Sequence, residues 1–168
     1  MIPNGEVMRE MSGEGYKYLG VLQNEVNMND ELKGMVSGEY FRRLDSLLKS
    51  KLNAGNLITG VNSWAIGVVR YSAGIIDWRK DELLFMDRKT RKMMATKGAM
   101  NCRSGVKRFY VNRKDGERGM TSVEECVESE RRSLNEYVSS SEEWMLKRAG
   151  EVLSCLLYTS PSPRDVSL

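Results

Sequence analysis

The stretch Leu32-Lys33-Gly34-Met35-Val36-Ser37-Gly38-Glu39-Tyr40-Phe41-Arg42-Arg43-Leu44-Asp45-Ser46-Leu47-Leu48-Lys49-Ser50-Lys51-Leu52 decides the fold class. Leu32, Val36, Tyr40, Leu44, Leu48 and Leu52 recur every fourth residue, which stacks them along one side of an α-helix. The run is also far longer than an ordinary strand. A first helix is therefore expected from about Asn29, with Arg42, Arg43, Lys49 and Lys51 interleaved among its apolar positions. Asn53-Ala54-Gly55-Asn56 should close it, with Gly or Asn in the left-handed cap.

The same period continues downstream. Leu52 to Val69 is uncharged but contains Asn53, Asn56, Thr59, Asn62 and Ser63. That is too polar for a membrane span and suits a buried helix. The second helix is expected from about Leu57 to Ile75, closed by Gly74 and Asp77. Leu57, Val61, Trp64, Ala65, Val68 and Ser72 form one face, and Ile58, Ile66 and Val69 make other sides apolar. A third helix should start near Trp78 or Arg79, with Asp77 as N-cap and Asp81 and Glu82 in the first turn. Leu83, Met86, Met93 and Met94 would face the core, and Gly98 would end the helix. Arg88, Arg91 and Lys92 fall at i, i+3 and i+4, so they are expected on one side, with Lys89 beside them.

Residues 99–120 read as irregular, with Phe109-Tyr110-Val111 as a short strand and Lys114-Asp115-Gly116 as a turn. Thr121 and Glu124 make a capping box for a fourth helix to about Val138. Ser140 and Glu143 make another for a fifth, reaching Leu153. Upstream, the first 24 residues read as strands. Asn4-Gly5 is a two-residue hairpin turn signal, Gly13-Glu14-Gly15 is a second turn, and 16–22 is rich in strand formers with Gly20 inside it. The expected class is mainly α with a small N-terminal β-hairpin.

The composition fits one soluble domain: 168 residues, 40% hydrophobic and 29% charged. There are no histidines, which removes a His-based triad, a His general base and imidazole metal ligands. Cys102, Cys126 and Cys155 form no CxxC pair, so neither a metal knuckle nor a disulfide framework is expected. The N-terminus lacks the pattern of a signal peptide.

The net charge of +3 conceals an asymmetry. Residues 1–41 hold 3 Lys/Arg against 7 Asp/Glu, 42–118 hold 18 against 7, and 119–154 hold 4 against 8. A basic middle of net +11 between acidic ends points to a local surface for a polyanion. The alternative is a solvated face on a structural helical domain. Trp64, Trp78 and Trp144 read as core aromatics before base-stacking ones, and the methionines as packing.

Several strings in this order resemble the post-catalytic part of a reverse transcriptase from a non-LTR retrotransposon. They are Gly15-Tyr16-Lys17-Tyr18-Leu19-Gly20-Val21, Glu39-Tyr40-Phe41-Arg42-Arg43, Leu48-Lys49-Ser50-Lys51-Leu52-Asn53, Asn62-Ser63-Trp64-Ala65, Arg70-Tyr71-Ser72-Ala73-Gly74-Ile75-Ile76-Asp77-Trp78, Met86-Asp87-Arg88-Lys89-Thr90-Arg91-Lys92 and Val123-Glu124-Glu125-Cys126-Val127-Glu128. The resemblance covers about residues 1–138. It implies a palm-end β-hairpin region at 1–24, with Tyr18, Leu19 and Gly20 supporting the primer end, and a helical thumb-like bundle at 25–154. It also implies that Arg42, Arg43, Lys49, Lys51, Arg88, Arg91 and Lys92 meet nucleic-acid backbone. The implied partners are an RNA template and a DNA primer strand, in an intracellular, nuclear setting without a membrane. The parent polymerase would use Mg held by paired aspartates upstream of the Leu-Gly block. This chain contains no Asp-Asp, so no cofactor and no polymerase activity are expected of it alone. A freestanding helical nucleic-acid-binding module is the rival reading.

Cys155-Leu156-Leu157-Tyr158-Thr159-Ser160-Pro161-Ser162-Pro163-Arg164-Asp165 looks like one translated frame of a transposase-based sequencing adapter. Residues 155–168 are thus expected to be an artefactual, disordered tail, and the natural sequence to continue past about Ser154.

Overall fold

The computed structural model describes residues 16–18, 21–23, 29–101, 103–148 and 150. Two short paired segments come first, β1 (Tyr16–Tyr18) and β2 (Val21–Gln23). Helices follow: α1 (Asn29–Lys49), α2 (Ala54–Gly60), a π turn (Val61–Ala65), α3 (Ile66–Ser72), α4 (Lys80–Thr96), α5 (Val106–Tyr110), a 3-10 turn (Arg113–Asp115) and α6 (Val123–Ser140). Residues 144–148 are helical again.

The expected class is corrected on its β part: among the described residues the fold is helical, and the strands are confined to β1 and β2, three residues each, with no β layer packed on the helices. The turns at Asn4-Gly5 and Gly13–Gly15 lie outside the described residues. The stretch 16–22 is not one strand, because Tyr18 pairs antiparallel with Val21 and Tyr16 with Gln23. Two segments of three residues are too short to make a stable layer, and the packed elements are all helices.

α1 follows its sequence signals. Asp30 and Glu31 lie in its first turn and Lys49 in its last, where the helix dipole favours each sign. Tyr40 and Leu44 are fully buried. The end differs from expectation: Lys51 takes the left-handed conformation at φ 50°. Asn53 instead opens the next helix, its Oδ1 accepting from the Asn56 amide at 2.8 Å. Leu52, counted with the apolar stripe, is therefore past the helix and exposed.

α2, the π turn and α3 form one continuous rod. The Ile66 amide reaches back to the Val61 carbonyl, five residues away. The widened turn carries Asn62, whose Nδ2 donates to the Gly119 carbonyl at 2.9 Å and whose Oδ1 accepts from the Thr121 amide at 3.0 Å. A π turn thus becomes a clamp on the segment that leads into α6.

Asp77 is not the N-cap of α4. Its amide donates to Asn29 Oδ1 at 3.2 Å, and the N-cap is Arg79, whose amide donates to Glu82 Oε2 at 2.9 Å. The expected strand at 109–111 is also corrected, since Val106–Tyr110 is a helix with Phe109 buried beneath it. One buried aromatic per turn serves a short helix as well as a strand. The capping residue of α6 moves by one: Ser122 accepts from the Glu125 amide at 3.0 Å. Buried Asp87 of α4 accepts from the Val123 and Glu124 amides at 2.9 and 3.3 Å. A carboxylate from another helix thereby satisfies donors that helix ends leave free.

Four rods make the bundle. α1 packs on α3 and α4, and α6 packs on the same two. α1 and α4 run parallel, because Lys33 meets Glu82, Tyr40 meets Thr90 and Asp45 meets Lys97. α3 and α6 also run parallel, since Asn62 meets Thr121 and Arg70 meets Glu130. Between them lie Val61, Ile66, Val69, Met94, Val123 and Val127, all fully buried. The one hydroxyl pair in this core is closed: Thr90 Oγ1 donates to the Met86 carbonyl, so Tyr40 donates to Thr90 at 2.9 Å.

Candidate nucleic-acid interface

The bundle sorts the seven expected cations by whether an internal partner already holds them. On α1, Arg42 makes a two-pronged bond to Glu39 at 2.7 and 2.8 Å. Arg43 reaches the same carboxylate at 2.8 Å, donates to the Trp64 carbonyl at 3.0 Å and lies 5.3 Å from the Trp64 ring. The hydrogen bonds from Arg42 and then Arg43 hold the Glu39 carboxyl at about 2, well below the ordinary 4.5. Lys49 pairs with Asp45, which also faces Lys97 at 3.8 Å. The Lys49 hydrogen bond is the main cause of a lowered Asp45 carboxyl. Lys51 alone of this group is exposed without an ion pair among the described residues.

On α4 the expected trio divides. Arg91 turns inward and is half-buried, donating to the Tyr110 hydroxyl at 2.7 Å. Burial raises the Tyr110 phenol, with the Asp87 charge adding to it and Arg91 offsetting it. The single-face expectation for Arg88, Arg91 and Lys92 is therefore corrected. Positions i and i+4 stay together outside, while i+3 follows the helical twist toward α5. Arg88 and Lys92 are exposed, with no carboxylate partner among the described residues. Between them Lys89 stands 4.0 Å over the Phe41 ring. Arg88, Lys89, Lys92 and Lys97 border a groove of about 690 Å³ on the outer face of α4.

Lys89 belongs with this group and was left beside it by the sequence reading; its position one residue after Arg88 was the available signal. The internal pairing on α1 also had a signal. Glu39 precedes Arg42 and Arg43 by three and four residues, and Asp45 precedes Lys49 by four, the spacings at which helical ion pairs form. Of the proposed primer-end residues, Tyr18 ends β1, while Leu19 and Gly20 lie outside the described residues. The tryptophans divide too: Trp78 is buried, whereas Trp64 and Trp144 are exposed. Cys126 is a buried thiol that burial pushes up.

The basic middle of the sequence is partly neutralised from outside itself. α6 supplies Glu130 to Arg70 at 2.9 Å and Glu124 to Lys80 at 3.2 Å. Among the described residues, exposed cations without an ion pair remain on the outer side of α4 at Arg88, Lys89 and Lys92, and also in the 103–118 segment at Arg103, Lys107, Arg113, Lys114 and Arg118. Among the described residues no three Cys, Asp or Glu side chains gather as a metal site would require, and no helix is long and apolar enough to cross a membrane. No protein family, curated protein or solved structure matches this chain.

Proposed function

We propose that the chain grips nucleic-acid backbone through the outer face of α4, as the thumb part of an RNA-directed DNA polymerase of the non-LTR retrotransposon type. In that role it holds an RNA–DNA duplex while chemistry occurs on a palm outside this chain. One observation carries the reading. Arg88 and Lys92 lie one helical turn apart, exposed and without internal carboxylate partners, while Arg42, Arg43 and Lys49 are already neutralised. Cations that no carboxylate holds are the ones able to exchange solvent counterions for phosphates. Their spacing on a rigid helix fixes position without reading bases, as sequence-independent grip requires.

The test is a salt titration of binding to an RNA–DNA duplex. Arg88→Gln with Lys92→Gln should weaken binding and make the slope of log affinity against log salt shallower by about 1.4–1.8, at roughly 0.7–0.9 per lost contact. Arg91 is left intact because it holds Tyr110. An unchanged slope in a variant of unchanged helicity would leave α4 as a solvated basic face on a structural domain.

A further inference from the structure

Residues 103–118 carry Arg103, Lys107, Arg108, Arg113, Lys114 and Arg118 against two carboxylates, Asp115 and Glu117. Glu117 is engaged by Arg108 at 2.9 Å. The other five cations are exposed and without an ion pair among the described residues, and exposed Asp115 is the remaining acid of the segment. The segment is braced from within. Phe109 is buried beneath α5, and the Arg118, Gly119 and Met120 amides donate to the Arg108, Val111 and Phe109 carbonyls. Residues 112–117 close this ladder, with Arg113 and Lys114 on the 3-10 turn and Gly116 left-handed at φ 81°.

Two neighbours anchor the segment on the bundle. A Cβ on Gly55 would come within 2.5 Å of an Arg113 guanidinium nitrogen, and one on Gly119 within 3.1 Å of the Arg113 Cγ. Two glycines thus leave room for this side chain near the start of α2, where no carboxylate among the described residues receives it. Arg118 Nη1 donates to the Ala99 carbonyl at 2.8 Å, two residues beyond Lys97, which borders the groove on α4. Unpaired cations therefore continue past the end of α4 to Arg113 beside Gly55. Groups already held in place lose less freedom when they bind.

We infer that residues 103–118 make a second contact with phosphate backbone, so that one RNA–DNA duplex is held both by the outer face of α4 and by the Arg113–Lys114 turn. The inference rests on the duplex-grip reading and adds its extent. Phosphates repeat along a strand, which suits cations distributed over two elements, and such contacts position a duplex without reading its sequence. The large apolar side chains exposed in this segment are Val106 and Val111, neither of them the aromatic anchor on which protein interfaces centre.

The test is a salt titration of RNA–DNA duplex binding with the full chain. Arg113→Gln with Lys114→Gln should make the slope of log affinity against log salt shallower by about 1.4–1.8, at roughly 0.7–0.9 per lost contact. The loss should add to that of Arg88→Gln with Lys92→Gln, and the parent should bind one duplex per chain. Arg113→Lys should keep the parent slope, because it keeps the charge. Arg132→Gln with Lys147→Gln removes the same charge elsewhere and should leave the slope unchanged. Should loss of Arg113 disturb the fold, Lys107→Gln with Lys114→Gln gives the same reading, since neither lysine makes a hydrogen bond or ion pair among the described residues. A parent slope in the folded loop variant overturns the inference, as does an equal loss in the Arg132–Lys147 variant or equal competition by polyglutamate. If only the Arg88–Lys92 variant flattens the slope, the grip on α4 stands without this extension. If only the loop variant does, the loop contact is supported and the α4 grip fails.

Discussion

Glu39 engages two arginines that the resemblance implies as nucleic-acid backbone contacts. Both lie within one turn of it, and the geometry turns both guanidinium groups onto its carboxylate. Exposed pairs of this sort add little to stability, but they decide which cations remain available. The carboxyl falls to about 2 on folding, from 4.5. A carboxyl lowered on folding contributes stability that is fully present above its unfolded value. That contribution is lost as pH falls from 4.5 toward 2. Glu39→Gln should therefore lose less stability than the parent across that acid window, measured as denaturant midpoints at successive pH values. It should also release Arg42 and Arg43, so that duplex affinity at neutral pH rises and its salt slope steepens. A variant with the parent's acid profile and the parent's slope would show that Glu39 restrains neither arginine. At this scale the pairing was legible from i, i+3 and i+4 spacing, whereas the inward turn of Arg91 was not, because it depends on Tyr110 from a helix nineteen residues away.

Among the elements, apolar periodicity marked α1, the α2–α3 rod and α4, and a capping-box signal marked α6. Their ends were less legible, for a physical reason. Caps depend on which donors a tertiary neighbour already satisfies, and Asp87 satisfies the first amides of α6 from across the bundle. Burial raises the Asp87 carboxyl despite those two amides, which lower it. No local pattern in 121–124 reports a carboxyl that comes from another helix. The π turn was equally invisible, because Val61–Ala65 has ordinary helical composition and its extra residue serves only to aim Asn62 at 119–121. The clamp adds to the backbone bonds by which the Arg118, Gly119 and Met120 amides reach the Arg108, Val111 and Phe109 carbonyls. Asn62→Ala removes one donor and one acceptor from partly buried partners and should cost about 1–3 kcal/mol. Amide exchange at Thr121 should accelerate more than exchange in α1. Uniform acceleration, or a denaturant midpoint matching the parent, would mean that the segment is held by other contacts.

At the scale of the whole molecule, the charge asymmetry in the sequence is reshaped by the fold. The acidic α6 lies along α3 and α4 and neutralises part of the basic middle, while the surplus is divided between the outer side of α4 and the 103–118 segment. Sequence order showed that the surplus existed, but not its side, because only packing determines which cations find carboxylates. The same packing accounts for the acids. Asp30 and Glu31 sit in the first turn of α1. Glu82 closes the start of α4: burial raises its carboxyl, but the hydrogen bonds from Lys33 and the Arg79 amide, with their charges, lower it overall. Asp81 faces Arg79 at 3.5 Å, and Glu124 faces Lys80 at 3.2 Å. Two-metal phosphoryl transfer needs carboxylates converging on a pair of cations about 3.5–4 Å apart. The acids just named are instead distributed to helix starts and ion pairs on separate elements. The chain should therefore bind a primed RNA template without extending it. With deoxynucleotides and magnesium present, primer length should stay at the level of a mock preparation, even at protein concentrations where the duplex is fully bound. Extension above the mock would place metal-binding carboxylates within this chain, and the division of labour between a gripping bundle and a separate palm would have to be abandoned.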